Sequence, residues 1–437
     1  MKNTRKRFCV KDFGAVGDGK QIDTEAFQQT IQAAAKVQGC VVVESGIYLL
    51  GSIFLQSHME FYLAEGAVLL GIQDIAAYPV IASRVAGIEM EWPAALVNVL
   101  HGQDVRIFGP GIMDGQGEYW WNLYWGKDGN GGLRKTYDQQ NLRWIADYEI
   151  QRPRLFLAFD CKNLVLEGFQ AKRAGFWTVQ LTYCQRVLVR GLQILENHGP
   201  STDGIDIDSC SEVGIEKCRI SCNDDDIVIK SGRDADGQRV NRPSEKIEIW
   251  DCEILSGAGI TLGSEVSGGI RDVYIHDIVF KQTDCGFRIK SSWLRGGFIE
   301  DIRVHNLQME DVRFPFSWIL DWHPAYNEIH LPKGKKLPGY WQKIAGRVPI
   351  RRRGTYVRRI LVSDVKAGLS KNQKQVSRAF DLQGCKAKPM EGIVFQRVKL
   401  VADEFGRIEN IKNLRMETVQ LSIRGAGYAE NDVYDRR

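Results

Sequence analysis

Residues 161–191, CKNLVLEGFQAKRAGFWTVQLTYCQRVLVRG, contain one short unit twice, Asn163-Leu164-Val165-Leu166 and Arg186-Val187-Leu188-Val189. The unit, polar and then apolar-x-apolar, returns at Glu212-Val213-Gly214-Ile215, Lys246-Ile247-Glu248-Ile249, Asp272-Val273-Tyr274-Ile275 and Asp301-Ile302-Arg303-Val304. Later copies are Arg359-Ile360-Leu361-Val362 and Gly392-Ile393-Val394-Phe395, and earlier ones Glu60-Phe61-Tyr62-Leu63 and Asp104-Val105-Arg106-Ile107. Alternating faces over three to five residues, each followed by a turn, read as short strands. A hairpin sandwich would space its strands at roughly 8–12 residues, and βαβ units would put helical segments between them. Neither pattern is legible after residue 50. The central copies recur at intervals from the low twenties to the low thirties. One coil per repeat, with apolar residues stacked inward, predicts an all-β, single-stranded right-handed parallel β-helix.

Working outward, the one helix signal is early. Asp23-Thr24 precedes the run EAFQQTIQAAA at 25–35 and is expected to cap it, so that a short N-terminal helix closes the open end of the solenoid. No linker interrupts the repeat, and residues 1–437 read as a single domain. The chain holds 44 glycines against 12 prolines. Glycines at 168, 191, 204, 232, 263 and 286 fall where coils turn, and a parallel ladder needs nearly every N–H. Net charge is +4 from 58 basic and 54 acidic residues, too balanced to mark a polyanion-binding protein by charge alone. No apolar run approaches the roughly 18 residues of a membrane helix. Neither a nucleic acid nor a membrane is an expected partner. The ten cysteines form no CxxC pair and read as reduced thiols in the core. The basic N-terminus shows no apolar h-region. That points to the cytoplasm, with a removed secretory signal as the alternative.

Departures from the repeat are candidate functional loops. Residues 118–150 carry Tyr119, Trp120, Trp121, Tyr124 and Trp125. Residues 233–243 interrupt two coils. Residues 314–356 carry Trp318, Trp322, Tyr326, Tyr340 and Trp341 and end in a basic stretch, Arg351-Arg352-Arg353. The aromatics suit either sugar stacking or packing of each loop on its own scaffold. The basic stretch reads as solvated surface, because no aromatics interleave it as a stacking platform.

Two acidic clusters lie one coil apart, STDGIDID at 201–208 and NDDDIVIK at 223–230. Stacked rungs are about 4.8 Å apart, which predicts that Asp203 faces Asp224 and Asp225. Carboxyls held that close separate their pKa values into a proton donor and an ionised base. Glycosidic hydrolysis needs that pair; calcium ligands or acids on surface turns are the alternative. One and two coils later come GAGITLGSE at 257–265 and GFRIK at 286–290. Arg288 and Lys290 share one face of a strand and suit the carboxylate of an acidic sugar, or else pair with the aspartates.

Taken in order, STDGID, NDDDIVIKSG, GAGITLGSE and GFRIK resemble the NTD, DD, GHG and RIK motifs of glycoside hydrolase family 28, the polygalacturonases and their relatives. DFGAVGDGK at 12–20, EWPAALVNV at 91–99 and FWTVQ at 176–180 resemble it too, so the likeness covers nearly the whole chain. The resemblance implies that Asp224 is the general acid, that Asp203 and Asp225 hold the attacking water, and that the anomeric centre inverts. Arg288 and Lys290 match the residues that grip a galacturonate carboxylate. Glu265, Trp177 and His198 complete the expected substrate-binding set. Ser201 replaces the Asn of NTD, and Ala258 replaces the His of GHG; His198, five residues before Asp203, is expected to compensate in part.

The expected function is that of an inverting, exo-acting hydrolase of α-D-galacturonosyl linkages in pectin, acting on an acidic oligo- or polysaccharide without metal or other cofactor. GSEVSGG at 263–269 and the long aromatic insertions look like the exo-acting members. The missing imidazole points to galacturonosyl-rhamnose linkages of rhamnogalacturonan. The alternatives are an exo-polygalacturonase on homogalacturonan, a calcium-dependent lyase, or a non-catalytic carbohydrate-binding β-helix.

Overall fold

The repeat units become strands, and their registers stack residue for residue. The structure, a computed structural model, describes residues 5–334, 336–371, 373 and 375–424. These divide into two compact units, Met1–Val85 with Glu89–Asp224, and Ala86–Ile88 with Asp225–Arg437.

In the first unit, Leu164 lies beside Val187 and Val187 beside Val213, while Leu166, Val189 and Ile215 form the next inward row. All six are buried, since each side chain completes the layer begun by the coil before it. A second parallel ladder in this unit runs Ile53–Leu55, Val97–Leu100, Phe156–Phe159, Val179–Thr182 and Ile205–Asp208. In the second unit, Ile247, Val273, Ile302, Ile360 and Ile393 make the equivalent row. Its other ladder runs Ile227–Lys230, Ile260–Leu262, Cys285–Lys290, Phe314–Ile319, Arg378–Gln383 and Glu404–Glu409. Parallel strands joined by successive coils are the right-handed parallel β-helix expected from the repeat.

The polar residue that opens eight of the ten repeat units has a backbone role the repeat did not reveal. Asp104, Asn163, Arg186, Glu212, Lys246, Asp272, Asp301 and Arg359 all have φ between 54° and 57°. This left-handed conformation is costly for L-residues and least so for Asn and Asp. Side-chain ladders help to hold it: Asn163 donates to Asp104 at 2.6 Å, and Arg186 donates to Asn163 at 2.6 Å. Glycine therefore serves only some of the corners. Gly232 has φ +84°, but Gly286 is small for want of space, since a Cβ there would lie 2.8 Å from the backbone carbonyl oxygen of Pro315.

Helix Thr24–Ala35 forms as expected and buries Phe27, Thr30, Ile31 and Ala34. Its expected cap does not. The Asp23 carboxylate accepts instead from the N–H groups of Val16 and Gly17 at 2.8 and 3.0 Å, and Thr24 Oγ1 accepts from Gly51 N–H. Asp23 is 1% exposed and pins the preceding turn. Asp23→Ala is expected to cost about 2 kcal/mol by leaving those donors unsatisfied, read as a lower denaturation midpoint at unchanged slope.

Helical segments do occur after residue 50, contrary to the sequence reading, and apart from the single turn Ile75–Ala77 they belong to the insertions. The first insertion contains Glu118–Trp125, Gly132–Gln139 and Arg143–Glu149; the others contain Asp234–Val240, Pro324–Asn327 and Gly339–Ile344. They are too short for their periodicity to stand out. Among the described residues, no helix is long and apolar enough to cross a membrane. Five of the ten insertion aromatics named above pack inward: Trp120, Tyr124, Trp318, Tyr326 and Trp341 are buried, whereas Tyr119 is 42% exposed. All ten cysteines are free thiols, and eight are buried.

Candidate active site

Strand alternation places the cations. Along Cys285–Lys290, Phe287 and Ile289 point into the core at 0% exposure, so Arg288 and Lys290 stand on the opposite face. Register sets Thr261 on one side of Arg288 and Ser317 on the other. Asp225, two residues before strand Ile227–Lys230, is 1% exposed. Lys290 Nζ meets its Oδ2 at 2.5 Å, Thr261 Oγ1 donates to Oδ1 at 2.7 Å, and Arg288 lies 3.5 Å from Oδ1. The two cations thus pair with an aspartate here, one of the two roles their position allowed. The Trp322 ring covers both, its centroid 4.6 Å from Lys290 Nζ and 5.7 Å from the Arg288 guanidinium carbon. Asp226, fully buried, accepts from the Gly259 N–H at 2.9 Å. It thereby ties the acidic turn to the Gly257–Ala258–Gly259 segment.

Burial pushes the Asp225 carboxyl up, but Lys290, Arg288 and Lys230 together outweigh it and hold the group below its ordinary value of 3.8. A depressed carboxylate adds stability that is complete above the unfolded-state pKa and is lost as pH falls through the folded-state pKa. The melting temperature is therefore expected to drop below about pH 4, and to drop less steeply in Asp225→Asn.

Glu265, expected to touch sugar, is 4% exposed and lies in a buried ion network. Ser264 donates to it at 2.9 Å, and Arg295, 3.8 Å away, also bonds Asp234 at 2.7 Å. Arg295 further donates to the Asn327 side chain, and Arg233 stacks on Tyr326 at 4.5 Å. Burial raises Glu265, and Lys230, Arg295, Arg233 and Lys290 more than reverse this. Its carboxylate is engaged by protein groups, and Arg295 beside it bonds to residues of the 231–243, 263–269 and 321–328 segments.

In the first unit, Asp203 is 3% exposed and ends the turn that leads into Ile205–Asp208; Asp224 is half-buried and His198 exposed. Thr202 Oγ1 donates to the carbonyls of Asn197 and Gly199, which closes the turn. Arg152, fully buried, donates to the Pro200 carbonyl from beneath and stacks on Tyr124 and Phe176 at 4.5 and 4.8 Å. Burial lowers the Arg152 pKa, while Tyr124, Asp147 and Asp203 oppose that fall. Residues 118–150 therefore brace the turn bearing His198 and Asp203. Trp177 is 5% exposed and stacks on Phe176 at 4.7 Å. Two further buried arginines flank the strand: Arg84 pairs with Asp208 at 3.1 Å, and Arg154 bonds Gln180 at 2.7 Å.

The sequence reading missed Thr261, Arg84, Arg152 and Arg154. Thr261 was recoverable by counting register back from Arg288. The arginines carry no local pattern, and only the folded turns bring them to the acids.

The sequence model of glycosyl hydrolases family 28 matches residues 84–321, more than half of the chain. The chain belongs to glycosyl hydrolases family 28. All four ordered motifs fall inside the matched segment. A "Probable polygalacturonase" of Vitis vinifera is 33% identical over 73% of this chain and 64% of its own length. An "Exo-poly-alpha-D-galacturonosidase" of Dickeya chrysanthemi is 26% identical over 69% of this chain and 55% of its own. The chain thus spans between 55% and 64% of the length of these two curated relatives. Among solved structures, a hyperthermoactive exopolygalacturonase from Thermotoga maritima aligns with a TM-score of 0.77 at 28% identity, covering 95% of this chain and 92% of that one. A family 28 exopolygalacturonase from Yersinia enterocolitica aligns at 0.80 and 22% identity over 97% and 76%, and this likeness bears on the fold alone. The family 28 neighbours share the right-handed parallel β-helix.

Proposed function

We propose that this family 28 chain is an inverting, exo-acting hydrolase of α-D-galacturonosyl linkages in pectin, with galacturonosyl-rhamnose bonds of rhamnogalacturonan as its preferred target. In the proposed reaction, the Asp224 carboxyl gives its proton to the glycosidic oxygen as the C1–O bond breaks. Water held by Asp203 and Asp225 attacks C1 from the opposite face and passes its proton to the carboxylate base. Arg288 and Lys290 take the galacturonate carboxylate, and Trp322 offers a ring face beside them.

The observation that carries the reading is the Asp225 cluster inside a family 28 framework. A carboxylate at 1% exposure, held ionised by Lys290 and Arg288, suits a base that polarises water and is unsuited to donating a proton. An exo-polygalacturonase acting on homogalacturonan is the second reading, favoured by the likeness to the Thermotoga maritima exopolygalacturonase. A non-catalytic binding role fits less well, since Asp203, Asp224 and Asp225 are all present. The test is incubation with rhamnogalacturonan and polygalacturonan oligosaccharides, with and without chelator. Saturated monogalacturonate released at a chelator-independent rate supports the proposal. No cleavage, unsaturated products, or loss of cleavage with chelator opposes it.

A further inference from the structure

The Trp322 ring lies over Lys290 and Arg288, and the main chain that carries it is held by one buried amide. The Trp322 N–H donates at 2.8 Å to the carbonyl of Ser291, just after strand Cys285–Lys290, which brings the turn to the cations. Asn327 Nδ2 donates to the carbonyls of Trp322 and His323, the latter at 3.1 Å. Asn327 is 1% exposed, and its Oδ1 accepts from Arg295. Arg295 is itself fully buried and is aimed by the Asp234 carboxylate at 2.7 Å and the Ser264 carbonyl at 3.1 Å.

The turn needs such a hold. His323 sits at φ +48°, a left-handed conformation that costs free energy in a residue with a side chain. Its ring Nδ1 accepts from the Tyr326 N–H at 3.2 Å and so caps helix Pro324–Asn327, a single turn too short to keep its shape alone. The two carbonyls that Asn327 takes are those on either side of the His323 Cα, so its amide clamps the bend itself. A primary amide serves because it carries donors for the carbonyls and an acceptor for the guanidinium.

We propose that Asn327 is a positioning residue: it holds the Trp322 indole over Lys290 and Arg288 and so sets how tightly those cations take a sugar carboxylate. The inference rests on the galacturonosyl-hydrolase reading above and adds to it a residue that acts only through the ring. An indole kept there shields the cations from water, which strengthens their hydrogen bonds to an incoming carboxylate. The buried network of Glu265, Arg295 and Asp234 then serves the grip from a distance, through Asn327, rather than by touching sugar.

The test is a double-mutant cycle with Trp322→Ala, read on a galacturonate disaccharide. Asn327→Asp keeps the acceptor for Arg295 and loses the donors for the two carbonyls. It is expected to raise KM about tenfold, within the range for a lost cation–π contact, and to change kcat less than about twofold, the pattern of lost uniform binding. In the Trp322→Ala background the same substitution should change KM less than about twofold, because the ring it positions is gone. An unchanged KM in Asn327→Asp, or an equal rise in both backgrounds, overturns the inference. If Asn327→Asp fails to fold, Asn327→Ser, too short to span the guanidinium and both carbonyls, enters the same cycle. Loss of the fold in both variants assigns Asn327 to stability alone and also overturns it. If the wild type cleaves no galacturonoside, the hydrolase reading fails. The cycle is then read on the Kd of methyl galacturonoside by calorimetry, where additive losses, or no binding at all, refute the positioning role.

Discussion

Asp224→Asn is expected to lower kcat by about 10²–10⁴-fold, the range for removing a positioned general acid, while the melting temperature barely moves. Three consecutive aspartates compete for that role, and burial separates them. Asp225 is held ionised by two cations, and Asp226 is fully buried and spends its carboxylate on the Gly259 N–H. Asp224 is half-buried, so an amide there costs little stability and cannot deliver the proton. Asp226→Asn is expected to do the reverse, weakening the fold before the chemistry. A full rate in Asp224→Asn would shift the assignment of the acidic pair by one residue.

The second large effect is that of Lys290→Met. Asp225 would then keep its charge at 1% exposure with its closest partner gone. Breaking a buried pair from one side costs about 3–5 kcal/mol, which a denaturation series would register plainly. On the proposed reaction, activity should fall for two reasons: the carboxylate assigned as base loses its counter-ion, and the galacturonate carboxylate loses a donor. The double variant Asp225→Asn/Lys290→Met separates them. It removes the stranded charge, so most of the stability should return while turnover does not. If the single variant is as stable as the wild type, the 2.5 Å pair contributes nothing and the site has been misread.

The fold was legible because a solenoid repeats its instruction. Leu164, Val187 and Val213 each occupy the same place in the repeat, and parallel pairing sets them side by side. The insertions were less legible, since a helix of seven or eight residues such as Arg143–Glu149 leaves too few turns for its period to show. Asp23 misled because a carboxylate before a helix has two sets of backbone donors within reach, and here the preceding turn takes it. Among the candidate site residues, the shared face of Arg288 and Lys290 was readable from strand alternation, and Asp225 stood out by its motif. Their pairing was one of two arrangements the pattern allowed, and only side-chain reach across the rungs selected it. Glu265 sits within a motif and looked like a sugar contact; its burial against Arg295 depends on loops distant in sequence. Trp322 stood out only as one aromatic among several in its insertion, and its place over the cations comes from the turn that follows strand Phe314–Ile319.

Hydrolysis of an α-galacturonosyl bond by direct attack of water, as proposed, inverts the anomeric centre. Proton NMR of the first minutes of reaction tests it most directly, before the released sugar equilibrates between anomers. Saturated galacturonate is expected to appear first as the β anomer. Initial release of the α anomer, or of a 4,5-unsaturated uronate, would contradict it.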